Sequence, residues 1–386
     1  MSQSNSSFLA PDEGRLLQSF LSLVQIDSPS YFEADVIQTV ADILHDAGCQ
    51  IEIDNSLQLT GSNSGNLIAT LPATIGFEQT GRLFFSAHSD TMSPGIGIKP
   101  LLDGGVIRSS GDTVLGGDDK VGIAAIIEMV RCLTEQQLPH PEICILISVA
   151  EEVGLKGAKA MNESALGFNG EPCFVLDADG DPGSVVIGAP YQIEFQARFA
   201  GRAAHAGVSP ESGVSAITMA ATAIASLPWG RLDNMTTSNI GTISGGSANN
   251  VVAESCLVTG EMRSLEHDRV QAVQNQIEAA FQQVATDFGA EVSLQFDLAY
   301  HGFRLEQDDP LVQQVLSAAG KLGLPASTRY TGGGSDANIF AGKGLKPVVL
   351  STGMTAVHSK EESLKVTDLT NLTRLLLAIV DGYTTQ

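Results

Sequence analysis

Five short stretches carry acidic residues or histidines that hydrophobic packing does not require: SAHSDTM (86–92), GGDDK (116–120), SVAEEVG (148–154), VLDADG (175–180) and AVHSKEE (356–362). Each follows or flanks an apolar run. A carboxylate at the end of a buried strand is costly unless it is paired or bound to a cation, so five such cases point to one shared metal site. Imidazole with carboxylate is a donor set that suits zinc. Taken singly, each stretch has a plainer reading: HxD as a capped turn, GGDDK as a helix N-cap, Glu-Glu as a solvated face, and His358 as a satisfied surface histidine. Their recurrence after apolar runs outweighs those readings. TGGGSD (331–336) could cradle a phosphate, but no lysine follows at the P-loop spacing.

The elements that must hold these residues follow from hydrophobic period. Up to about Gly188, helix-like segments (13–24, 32–47, 120–134) alternate with short apolar runs (83–87, 143–150), which predicts an α/β sheet domain. The runs end in polar residues at their carboxyl ends, where open α/β sheets place ligands. Beyond Pro190 the pattern changes: Tyr191, Ile193, Phe195, Ala197 and Phe199 alternate with polar residues, as in a half-exposed strand. A helix (214–227), strands near 238–243 and 253–263, a long helix (266–288) and a strand (292–298) follow, spelling β-α-β-β-α-β. After residue 301 the α/β texture returns, with a helix at 311–322, a strand at 347–350 and a closing helix at 368–383. The expected fold is therefore an α/β, mixed-sheet domain of residues 1–189 and 301–386, with a ferredoxin-like α+β domain inserted over 190–300.

The five acidic stretches, in their order and spacing, resemble the M20-type zinc metallopeptidase family that includes peptidase T, carboxypeptidase G-like enzymes, succinyl-diaminopimelate desuccinylase and aminoacylase. The forms GGDDK, EEVG and VLDADG are most similar to the peptidase T branch. The resemblance implies a catalytic dinuclear metal domain holding two Zn2+, with Co2+ or Mn2+ satisfying the same ligands. It implies that His88, Asp118 and Asp177 hold one ion and Asp118, Glu152 and His358 the other, with Asp118 bridging. Asp177 is preferred over Asp179 because it directly follows the buried run 173–176; Asp179 is the alternative. Three carboxylates and a bridging hydroxide would balance the charge of two divalent ions, and metal coordination lowers the pKa of bound water to about 7. Glu151 is expected as general base, and Asp90 as the carboxylate that orients the His88 imidazole. The family pattern also carries a cis peptide after the bridging Asp. His205 in GRAAHAG is implied as an oxyanion-stabilising group of a lid. Asn250, Arg263 and the loop residues Gly333, Gly334 and Ser335 are implied as substrate contacts.

Hydrolysis of a short peptide next to a free N-terminus is thus the expected activity. An N-acyl amino acid deacylase or carboxypeptidase is the alternative of the same chemistry, and a non-catalytic metal- or peptide-binding protein the alternative of another class. Retention of Glu151 argues against the last. The 386 residues contain 21 Lys and Arg against 44 Asp and Glu, and a net charge of −23 repels nucleic acid and anionic lipid, so neither is expected as a partner. Five scattered cysteines without a CxxC pair predict reduced core thiols, and MSQSNSSFLAPDEG lacks a secretory pattern; both lead us to expect a cytoplasmic protein. No apolar run approaches the roughly 20 residues that span a bilayer. A homodimer through the insert is a further expectation from the family. His45, His140, His267 and His301 receive no role.

Overall fold

Asp12 starts the first helix, Glu13–Val24, by accepting the Arg15 backbone N–H on its side chain, and Leu16, Phe20, Leu23 and Val24 form its buried stripe. The structure, a computed structural model, describes residues 10–384. Its central sheet is built on four adjacent parallel strands, in the order Glu142–Ser148, Arg82–His88, Pro172–Ala178, Lys346–Ser351. Leu67–Leu71 and Ser184–Ala189 flank them antiparallel. Strands buried on both faces read as continuous apolar runs rather than alternations, which is the texture of LFFSA and ICILI. Because the four are parallel, their carboxyl ends lie along one edge. His88, Ser148, Ala178 and Ser351 end there, and the acidic stretches 86–92, 148–154 and 175–180 run through those ends.

Helix Gly117–Glu135 packs on strands Arg82–His88 and Pro172–Ala178 and against Val366–Gly382, so the C-terminal segment completes this first unit. It is buried on every side from Gly117 to Val130. Asp118 and Asp119 lie inside its span with non-helical backbone, and the peptide between them is cis, as the family pattern implies. Glu128, buried mid-helix, is held bidentately by Arg15 at 2.8 and 2.9 Å.

The second unit comprises Gly188–Arg304 with Thr331–Gly334; the first runs to Ile187 and resumes over Leu305–Tyr330 and from Ser335. The second unit's sheet is antiparallel, in the order Gly230–Asp233, Thr236–Gly245, Ser255–Ser264, Tyr191–Ala200, Glu291–Tyr300. Helices Ala216–Ala225 and His267–Asp287 cover one face and bury Ile193, Phe195, Phe199 and Phe281. Strand Gly230–Asp233 adds a member to the expected β-α-β-β-α-β order. At four residues, none of them buried, it carries no hydrophobic alternation by which to recognise it. Gln192 breaks the burial alternation of its own strand because its amide donates to Glu261.

All five cysteines are buried and free. No helix among the described residues is long and apolar enough to cross a membrane.

Candidate metal centre

Asp118 stands between two imidazoles. His88 Nε2 lies 3.0 Å from its Oδ1, and His358 Nε2 lies 3.0 Å from its Oδ2. Each imidazole also faces a second carboxylate: Asp177 Oδ1 at 3.9 Å from His88, and Glu152 Oε1 at 3.2 Å from His358. One donor atom from each of His88, Asp118 and Glu152 fits within a 4.8 Å span. Parallel strand ends supply His88, Glu152 and Asp177, the cis turn supplies Asp118, and a loop of the C-terminal segment supplies His358.

Three carboxylates and two imidazoles are donors that bind divalent cations. Glu152 Oε1 is buried and, apart from the 3.2 Å approach of His358 Nε2, meets no polar partner among the described residues, which leaves it free to bind a cation. Asp179 is turned elsewhere, with its carboxylate and carbonyl both accepting from Arg329, at 2.6 and 2.8 Å.

The cluster's electrostatics favour added positive charge. Burial opposes ionisation of Asp118, but His358 and His88 outweigh it and hold the carboxyl well below the usual range. Burial likewise opposes a charged His88, yet Asp118 and Asp90 carry it well above an ordinary histidine. Hydrogen bonding to Asp118 and the neighbouring Glu152 push His358 up to about 10. Burial, reinforced by adjacent carboxylates, raises both Asp177 and Glu151 well above the ordinary acid range.

Buried carboxylates hold the backbone beneath these side chains. Asp90 Oδ1 accepts the Glu151 N–H at 3.0 Å; its Oδ2 accepts the Glu152 N–H at 3.2 Å and the Ser30 hydroxyl at 2.7 Å. The expected role of Asp90 toward the imidazole is thus shared: His88 Nδ1 is 3.1 Å from the Asp90 carbonyl and 3.4 Å from its carboxylate. Ala150 has φ +51, a left-handed conformation at which the chain turns out of the strand just before Glu151 and Glu152. Glu33, fully buried, accepts the Ala150 N–H at 2.9 Å together with the Tyr31 N–H and the Ser62 hydroxyl. Asp119 accepts the His88 N–H, and Lys120, also fully buried, donates to the Ser89 carbonyl and the Thr91 hydroxyl at 2.7 Å each. Sequence reasoning missed Glu33 and gave Asp119 and Lys120 no separate task. Nothing local marks Glu33, which reads as an acidic residue at the start of an amphipathic helix.

The candidate substrate residues divide into separate groups. In the insert, His205 and Asn250 neighbour one another, because Ala206 donates to the Asn250 carbonyl and His205 bridges Val251. Arg263 spends Nε and Nη2 on Glu261 at 3.0 Å each, and its Nη1 reaches the Gly332 carbonyl at 3.3 Å. That ties Arg263 to the glycine loop, which the sequence alone assigns to the C-terminal stretch. The Gly333 N–H donates to Thr331 Oγ1. A Cβ at Gly334 would overlap the Tyr300 ring, so a close approach of a side chain, rather than a ligand, explains that glycine. Ser335 is the N-cap of helix Asp336–Gly342, in a capping box with Asn338.

Compared with solved proteins, the chain is similar over its whole length to aminopeptidase PepT from Bacillus cereus, with 38% identity and a TM-score of 0.91 over 97% of this chain and 100% of that one. A tripeptidase from Staphylococcus aureus is 34% identical, with a TM-score of 0.92 over 98% and 100% of the two chains. The chain belongs to the M20 peptidase family, in its peptidase T-like branch. Within it, residues 188–288 match the peptidase dimerisation domain, and residues 96–177 match the M42 glutamyl aminopeptidase model. The fold is shared with Bacillus subtilis YxeP, a dinuclear metal-binding M20 peptidase, at 17% identity and a TM-score of 0.73 over 97% and 98% of the chains.

Proposed function

We propose that this M20 peptidase removes the N-terminal residue of short peptides, tripeptides included, using a pair of zinc ions and Glu151 as general base. The observation that carries the reading is the carboxylate of Asp118 with an imidazole nitrogen 3.0 Å from each of its oxygens. That arrangement suits a bridging ligand, with His88 and Asp177 on one side and Glu152 and His358 on the other. When bound, such a pair supplies Lewis-acid polarisation of the scissile carbonyl and an activated water. Co2+ or Mn2+ would satisfy the same donors.

The protein's own groups do the remaining work. Glu151 accepts a proton from the attacking water and returns it to the departing amine. Burial raises its carboxyl well above the ordinary acid range, which makes it a stronger proton acceptor than a solvated glutamate. Asp90 keeps Glu151 and Glu152 in place by accepting both of their backbone N–H groups. His205, Asn250 and Arg263 remain candidates for substrate contact on the strength of the family resemblance, as do residues 333–335. We assign residues 1–189 and 301–386 to catalysis and 190–300 to a lid that also forms a homodimer, and place the protein in the cytoplasm. The match of 188–288 to a dimerisation domain supports the homodimer.

The test compares free-amine tripeptides with their N-acetylated forms, using zinc-loaded protein and Glu151→Ala. Cleavage of the free-amine peptides alone, lost in the variant, is the expected result. Preference for the acetylated substrates would replace this reading with a deacylase.

A further inference from the structure

Glu362 closes the stretch AVHSKEE yet is neither a candidate ligand nor the base. The residue is 1% exposed, whereas His358, four residues earlier, leaves 47% of its side chain in solvent. Glu362 Oε2 accepts the backbone N–H groups of Leu115 at 2.8 Å and Gly116 at 2.9 Å, and Oε1 accepts that of Asp118 at 3.0 Å. Three converging N–H groups form an anion-binding nest, and here the anion comes from the far end of the chain. The turn is shaped to admit it. Gly116 takes φ +71, and a Cβ at Gly117 would come within 2.8 Å of Glu362 Oε1.

The segment bearing Glu362 is itself closed, since Thr355 and Ser363 exchange backbone hydrogen bonds at 3.0 and 3.1 Å. One closed loop therefore grips Asp118 twice: His358 Nε2 meets its side chain and Glu362 Oε1 meets its backbone, each at 3.0 Å. We propose that Glu362 is a positioning residue that sets the separation of His358 from Asp118, and through it the ligand geometry on the His358 side of the metal centre. The inference rests on the metallopeptidase reading.

Glu362→Gln and Glu362→Asp test it. The amide turns one acceptor into a donor facing a backbone N–H; the shorter acid keeps the charge but withdraws it. Wild type, both variants and His358→Ala are titrated with Co2+, recording affinity and visible absorption, and kcat and KM are measured on a tripeptide. The expected result is Co2+ affinity lower by about 10- to 100-fold in Glu362→Gln, a smaller loss in Glu362→Asp, altered absorption in both, and a fall in kcat with KM little changed. A lower melting temperature with wild-type Co2+ affinity and spectrum would mark a merely structural role and overturn the inference. If Glu362→Gln does not fold, Glu362→Asp decides by the same two readouts. Failure of wild type to bind Co2+ at all would instead remove the metal reading beneath it, and the inference with it.

Discussion

In the unit that carries Asp118, the buried side chains include Glu33, His88, Asp90, Asp118, Asp119, Lys120, Glu128, Glu151, Asp336 and Glu362. In the insert, the buried polar side chains among the described residues are Gln192, Thr236, Ser238 and Ser264, around a core of Ile193, Phe195, Phe199 and Phe281. Removing an ionisable group from water costs several kcal/mol unless partners compensate, whereas burying an aromatic side chain is favourable by itself. The first unit therefore holds groups that only a complete network stabilises, and the second is an ordinary hydrophobic core. Changes in the first should be felt in metal binding and rate, and changes in the second in stability.

The sharpest way to break that contrast is Asp118→Ala, which removes the carboxylate shared by both imidazoles. Peptide hydrolysis and bound metal should both be lost, by tripeptide assay and elemental analysis; a variant retaining both would mean that the cluster is ornamental. Glu151→Gln should lower kcat by about 10²–10⁴-fold while bound metal stays at the wild-type level, separating base from ligand. In the insert, Phe281→Ala should cost about 3–5 kcal/mol in urea unfolding and leave metal content and kcat of the folded protein unchanged. A rate loss there at full folding would show that the two units are not independent in this sense. The smallest effect belongs to the exposed pair of Arg269 and Asp233, 2.9 Å apart. Arg269→Ala should move stability by under about 1 kcal/mol, checked by the same unfolding curve.

Legibility in the sequence follows the same divide. Helix Glu13–Val24 spans the residues that its apolar period indicates, and the alternation of 191–199 marks a strand with one buried face. Strand Gly230–Asp233 escaped because it has neither length nor alternation. At the centre, the acidic stretches could be picked out by residue type and by the apolar runs before them. Which oxygen of Asp118 faces which imidazole could not. The partners of Asp118 lie 30 and 240 residues away, and Glu362 reaches the Leu115 N–H across 247. Arg263 carried a fork suited to a carboxylate, and only the folded sheet shows that Glu261 already occupies most of it.

By itself the sequence determined the α/β texture interrupted by an antiparallel insert, the acidic balance, and the segments in which metal-ligand chemistry is concentrated. These are local or compositional properties, set by period, residue type and the turn chemistry of neighbours. Only the tertiary structure decided that four parallel strand ends share one edge, that Glu33, Asp90 and Glu362 spend their carboxylates on backbone N–H groups, and that the glycine loop packs against Tyr300. Those are pairings between distant segments. Their energy depends on distance and burial, which exist only once the chain has closed.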